Sequence, residues 1–143
     1  MRFMVIVKAN KDSESGQLPP EKLLVEMGKF NEELIKAGVM LAGEGLRPSS
    51  KGTRVSFNGS KRSVVDGPFA ETKELVAGFW ILQAKTRAEI VEWVKKAPFD
   101  VAEVEIREIS EAEDFEPVIK THEGAETLAK EAAFRAQQEQ TKH

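Results

Sequence analysis

The chemistry-bearing residues concentrate in one stretch, Asp66-Gly67-Pro68-Phe69-Ala70-Glu71-Thr72-Lys73-Glu74. Gly and Pro punctuate it, so it reads as a loop. An Asp in a turn ordinarily accepts a hydrogen bond from the backbone N–H two residues on. Here that position is Pro68, which has no N–H to give. The Asp66 carboxylate must then reach the N–H of Phe69 or Ala70, or face a cation or a ligand. As a catalytic group it would be a general base, which needs burial or a like-charged neighbour to raise its pKa toward neutrality. Its plain alternative is a loop carboxylate that caps backbone N–H groups. Phe69 is either a ring for stacking a ligand or a hydrophobic plug that seats the loop.

A second group gathers around Glu44, flanked by Gly43 and Gly45. Glycines on both sides let a neighbouring backbone or a ligand come close. Glu44 has Arg47 and Lys73 as candidate ion partners around a shared pocket; a surface salt bridge there would contribute only about 0–1 kcal/mol. If Glu44 and Asp66 converged, they would form a paired-carboxylate site able to hold a divalent cation or to divide acid and base roles. Gly78, inside an apolar run, marks a bulge, a close backbone approach or space for a pocket. Trp80, two residues on, reads first as core. The expected site is therefore Asp66 as catalytic group, with Glu44, Arg47, Asp66, Phe69, Lys73 and Trp80 binding ligand, and with no metal and no cofactor assigned.

Several function classes are excluded. There is no cysteine, which removes disulfides, thiolate nucleophiles, Cys-ligated zinc and iron–sulfur clusters. The two histidines, His122 and His143, lie in the C-terminal tail, so a haem or metal site in the core lacks its usual ligand. No P-loop or dinucleotide fingerprint occurs. The 21 basic and 24 acidic residues are interspersed and give a net charge of −3, without the basic stripe that nucleic acid requires. Apolar runs are far short of a membrane span. The N-terminus leads straight into a strand-like segment, and the expectation is a cytoplasmic protein without membrane or direct nucleic-acid contact.

These groups must be positioned by an alternation of strands and helices. Arg2 to Lys8 is apolar on both alternating faces, as in a strand covered on both sides. Asn10 to Gln17 reads as a polar loop. Pro20 opens a helix whose apolar stripe is Leu23, Met27, Phe30 and Leu34, and Gly38 ends it. Val39 to Ala42 reads as a strand running into a Gly43-Glu44-Gly45 turn. Arg54–Phe57 and Lys61–Val65 flank Asn58-Gly59, a strong hairpin signal. Leu75 to Ala84 is the longest strand. Thr86 and Glu89 suggest a capping box for a second helix, which Pro98 stops. Val101 to Ile109 is the last strand. The order β-α-β, hairpin, β-α-β is an α+β, ferredoxin-like split βαβ pattern with an inserted hairpin. Two helices cover one face of such a sheet; sheet-on-sheet homodimerisation would cover the other, with the C-terminal tail as the alternative cover. Residues 110–143 add an acidic connector and an Ala/Glu/Lys-rich helix, so the expected organisation is a domain over 1–109 and a tail over 110–143.

The run Asp66 to Glu74, DGPFAETKE, resembles the signature of the DGPF subgroup of the YCII-related family. The resemblance extends over MRFMVIVKA at the start, KAGVMLAGEGLRPS at 36–49 and ELVAGFWIL at 74–82, within about residues 1–109. It implies a dimeric α+β barrel with a pocket between sheet and helices or near the subunit junction. In some YCII-like members it implies lyase- or isomerase-like chemistry through a His–Asp pair, with the His on the first helix. This chain has Met27, Gly28 and Lys29 there, which removes such a dyad from the core. The resemblance also implies association with sigma factors of the extracytoplasmic-function class. Two functions follow as expectations: a small organic molecule bound near the DGPF loop with acid/base chemistry, or a non-catalytic regulatory module linked to transcription.

Overall fold

Why the long strands hold is clearest from their alternating side chains. A computed structural model describes residues 1–71 and 74–141, with side chains up to Glu139; Thr72, Lys73, Lys142 and His143 lie outside the described residues. Strand β1 (Arg2–Lys8) buries Phe3 and Val5 completely, and β5 (Val76–Gln83) buries Gly78, Trp80 and Leu82 on the same side. Their period of two is that of a pleated strand with one face on a core. Helix α2 (Glu21–Lys36) supplies Phe30 and Leu34 to that core, and α3 (Arg87–Val94) supplies Ile90. Pro20 occupies the N-cap position of α2, and Gly38, at φ +71°, follows its C-cap Ala37. Only glycine takes that left-handed conformation without strain. Thr86 caps α3 by accepting a 3.3 Å hydrogen bond from the Glu89 N–H.

Strands β1, β2 (Met40–Gly45), β5 and β6 (Val104–Glu108) form one antiparallel sheet in the order β2-β5-β1-β6. With the helices in their chain positions this is the ferredoxin-like split βαβ arrangement, an α+β fold. The inserted hairpin, β3 (Thr53–Asn58) and β4 (Lys61–Asp66), is a separate two-stranded sheet turning at Asn58 to Lys61, with Gly59 at φ +61°.

Three elements differ from the sequence reading. Residues 10–17 contain a short helix, α1 (Lys11–Glu14), nucleated by a capping box between Asn10 and Ser13. Strand β2 continues through Gly43-Glu44-Gly45 because β5 supplies hydrogen-bonding partners along its length, pairing Gly43 with Trp80 and Gly45 with Gly78. Strand β6 begins at Val104, and Val101 is exposed.

The described chain separates into two compact units, one over Met1–Glu108 and one from Ile109 onward. The second holds a 3-10 segment, Ala112–Val118, and helix α4 (His122–Thr141). Within it Arg135 donates to the Glu111 carboxylate at 2.9 Å and to the Ser110 carbonyl at 3.1 Å. No helix among the described residues is long and apolar enough to cross a membrane.

Candidate functional site

A cavity of about 370 Å³ opens between α2 and the helix-facing side of the sheet. Its origin is a set of missing side chains. Gly43, Gly45 and Gly78 line it together, and the first two share the helix-facing side of β2 because they are two residues apart. A Cβ on Gly43 would lie 2.8 Å from the Trp80 ring and 2.7 Å from Met40 Cε. On Gly78 it would lie 2.9 Å from the Glu44 carbonyl oxygen, whereas on Gly45 it would meet nothing within 4 Å. The first two glycines permit close packing, and the third leaves open space. Open floor is therefore left at Gly45 of β2.

Around this floor stand Leu23, Leu24 and Met27 of α2, Val7 of β1, and Trp80 and Phe99. Trp80 is 6% exposed and meets Phe30 and Phe99 edge-on, with centroids 5.8 and 6.2 Å away. Its indole Nε1–H donates to Asn31 Oδ1 at 2.9 Å. That bond satisfies the one polar atom of a buried indole and fixes the ring in rotation. Among the described lining residues Asn31 is the one with a polar uncharged side chain.

Of the residues expected from sequence, Trp80 and Glu44 line the cavity. Glu44 pairs with Phe79 in register. Directly opposed residues share a face, so the Glu44 side chain belongs to the side of the sheet away from Trp80, and its peptide contributes to the cavity wall. Arg47 is exposed and does not line the cavity, and no ion pair joins it to Glu44 among the described residues. Lys73 lies outside the described residues.

Asp66 and Phe69 stand apart from the cavity lining. Asp66 ends β4 on an exposed surface, where its Oδ1 accepts a 2.9 Å hydrogen bond from the Thr53 hydroxyl across the hairpin. The Phe69 N–H, one of the two partners considered for Asp66, instead donates to Ser49 Oγ at 3.1 Å. Ser49 in turn donates its N–H and its hydroxyl to the Glu14 carboxylate at 2.9 and 3.0 Å. The half-buried Phe69 ring lies under the Arg54 guanidinium, 3.9 Å from its centroid. Gly67 donates to the Gly52 carbonyl at 2.9 Å and lies so close to the Ser49 carbonyl oxygen that a Cβ would run into it. Glu44 and Asp66 therefore belong to two different assemblies. Among the described residues no group of three or more His, Cys, Asp or Glu side chains is placed to hold a metal ion.

Sequence reading did not single out Asn31, Met27 or Phe99 as site residues. Asn31 carries a usable signal, a polar residue four positions after Met27 at the edge of the α2 stripe. Phe99 carries none, since the turn after α3 brings it to Trp80.

A model of the YCII-related domain matches residues 1–113. The chain belongs to the YCII-related family. No curated protein matches it in sequence. A solved structure similar to this YCII-related chain is 5-chloro-2-hydroxyhydroquinone dehydrochlorinase (TftG) from Burkholderia phenoliruptrix AC1100 in complex with 2,5-dihydroxybenzoquinone. The two are 14% identical, with 80% of this chain and 98% of that chain covered and a TM-score of 0.47.

Proposed function

We propose that this YCII-related protein binds a small, flat, largely apolar organic molecule in the cavity between α2 and the sheet. The observation that carries the reading is the open floor at Gly45, beside Gly43 and Gly78 and walled by Trp80, Phe99, Leu23 and Met27. A concave, mainly apolar site with few polar groups is what small ligands need. The volume suits a ring system of one or two rings with small substituents. Peptide groups of the glycine-rich floor and the Asn31 carboxamide would supply orientation. We read the site as binding rather than lyase- or isomerase-like turnover: Asp66 is not a lining residue, and strand alternation sets the Glu44 carboxylate on the other face.

The same reading assigns the chain to the DGPF subgroup on Asp66 to Glu74 and to the cytoplasm on its cysteine-free composition. It includes a two-fold homodimer through the sheet face opposite α2 and α3. Met4, Ile6, Phe79 and Ile81 form an apolar set there that is only half-buried within one chain, and closed pairs are the commonest oligomer. A regulatory role linked to transcription is the second reading; it draws on α4, which begins at His122, beyond the 1–113 stretch that carries the family.

The test is a titration of the wild type and Gly45→Leu with indole, 2-naphthol and benzimidazole, followed by indole N–H shifts and calorimetry. We expect at least one compound to bind the wild type and to shift the Trp80 indole resonance. Gly45→Leu should keep the fold and weaken that binding about tenfold or more, or at least about 1.4 kcal/mol. Binding left unchanged by Gly45→Leu, or no binding by any of the three, would remove the cavity as the site.

A further inference from the structure

The β3–β4 hairpin poses a packing problem that the cavity does not explain. All six residues of β3 and all six of β4 are exposed. A lone two-stranded hairpin is at best marginally stable in water, yet this one keeps a six-pair register. Directly opposed residues lie on one face, and that places Val55 beside Val64 and Phe57 beside Arg62. The result is an apolar face in which Phe57 is 71% exposed, Val64 66% and Val55 51%. Arg62 stacks on the Phe57 ring at 4.5 Å while donating to the Gly59 and Lys61 carbonyls at 2.7 and 2.9 Å, so the tip is ordered by its own contacts.

The hairpin's root is held where the described part of the DGPF sequence lies. Gly67 bonds Gly52 and abuts the Ser49 carbonyl; Phe69 bonds Ser49, and Ser49 bonds Glu14 of α1. Arg54 covers Phe69, and Thr53 ties to Asp66. These contacts fix the direction in which the hairpin leaves the domain, an ordering that needs a compensating contact elsewhere.

Charge points to the occupant. Between Lys51 and Phe69 four basic residues (Lys51, Arg54, Lys61, Arg62) stand against one acidic residue, Asp66, a net of +3; the whole chain carries −3, which leaves −6 on the remainder. A second copy of this chain offers that acidic remainder to a basic, apolar arm. We infer that the β3–β4 hairpin is an arm that lays its Val55, Phe57 and Val64 face on a second copy of the chain, with the Asp66-Gly67-Pro68-Phe69 turn as the bracket that aims it. The inference rests on the two-fold dimer proposed above and specifies what clamps it; the ligand cavity is independent of it.

Sedimentation velocity on the full chain tests the arm, with wild type beside the double variant Phe57→Asp, Val64→Asp. Both substitutions fall on exposed positions and leave the core residues untouched. Wild type should dimerise, and the double variant should raise the dimer Kd about 100-fold or more, the range of interface anchor residues, with an unchanged circular dichroism spectrum. Dimerisation should also weaken as salt rises, because the arm is steered by charge. Since the chain has no cysteine, a nitroxide on Ser60→Cys reports the tip alone. Its motion should be restricted in the dimer and released on dilution. A wild-type dimer whose Kd the double variant leaves unchanged, or a tip label equally mobile at every concentration, would overturn the arm while leaving a sheet-face dimer standing. A wild type that stays monomeric throughout would overturn both.

Discussion

Adding one methyl group at each of two positions in β2 should give opposite results, although both are glycines on the same face of the same strand. At Gly43 a Cβ falls 2.8 Å from Trp80 Cδ1 and 2.7 Å from Met40 Cε. The Met40 methyl is the far end of a flexible side chain and can swing aside. Trp80 cannot move as cheaply, since it is buried, wedged edge-on between Phe30 and Phe99 and tied to Asn31. Overpacking a filled core costs about 1–3 kcal/mol, and stretching the indole–carboxamide hydrogen bond adds about 0.5–1.5 kcal/mol. Gly43→Ala should therefore destabilise by about 1.5–4.5 kcal/mol. At Gly45 nothing lies within 4 Å of the new methyl, and the stiffer unfolded chain gains about 0.4–1 kcal/mol. Gly45→Ala should leave stability unchanged or raise it slightly. Urea unfolding of both variants measures the difference, and the Trp80 indole N–H resonance should move in Gly43→Ala while staying near its wild-type position in Gly45→Ala. Equal stabilities for the two variants would refute the claim that Trp80, and not strand propensity, dictates glycine at position 43.

Two further outcomes separate the bracket from a reactive site. Ser49→Ala removes the hydroxyl shared by Glu14 and Phe69, and we expect a loss of about 1–2 kcal/mol, with faster amide exchange at Phe69 and along the hairpin measured by NMR. Exchange confined to residue 49 would show that the bracket does not hold the arm. Asp66→Asn keeps an acceptor for the exposed Thr53 hydroxyl, so stability should change by less than about 0.5 kcal/mol and binding of indole in the cavity should be unaltered; a lost ligand would return Asp66 to the site.

Local signals sufficed for much of the architecture. The double-sided apolar runs of β1 and β5, the four-three-four stripe of α2 and the Asn58-Gly59 turn each encode their element in residues close in sequence, and the order of elements leads to the split βαβ sheet. The exceptions were elements whose stabilising contacts are remote or very short. Helix α1 is four residues long, too short for an apolar period, and rests on the Asn10–Ser13 capping box. The glycines of β2 carry weak strand propensity, and their hydrogen-bonding partners lie some 35 residues away in β5.

The candidate site divides along the same line. From sequence alone, glycines at 43, 45 and 78 announced close approach or empty space, Trp80 announced a core ring, and the missing N–H of Pro68 made Asp66 an unusual turn residue. Only the tertiary structure could say which of these meet. Sheet register brings Gly43, Gly45, Gly78 and Trp80 to one floor beneath α2 and sets Glu44 on the reverse side, because alternation is a property of the strand while pairing belongs to the sheet. Asp66 finds Thr53 across the hairpin, and Phe69 finds Ser49, through contacts 13 and 20 residues apart in the chain. The types of group available are written in the order of residues; which of them share a cavity is decided by long-range packing, since spacing along a chain does not specify distance between elements.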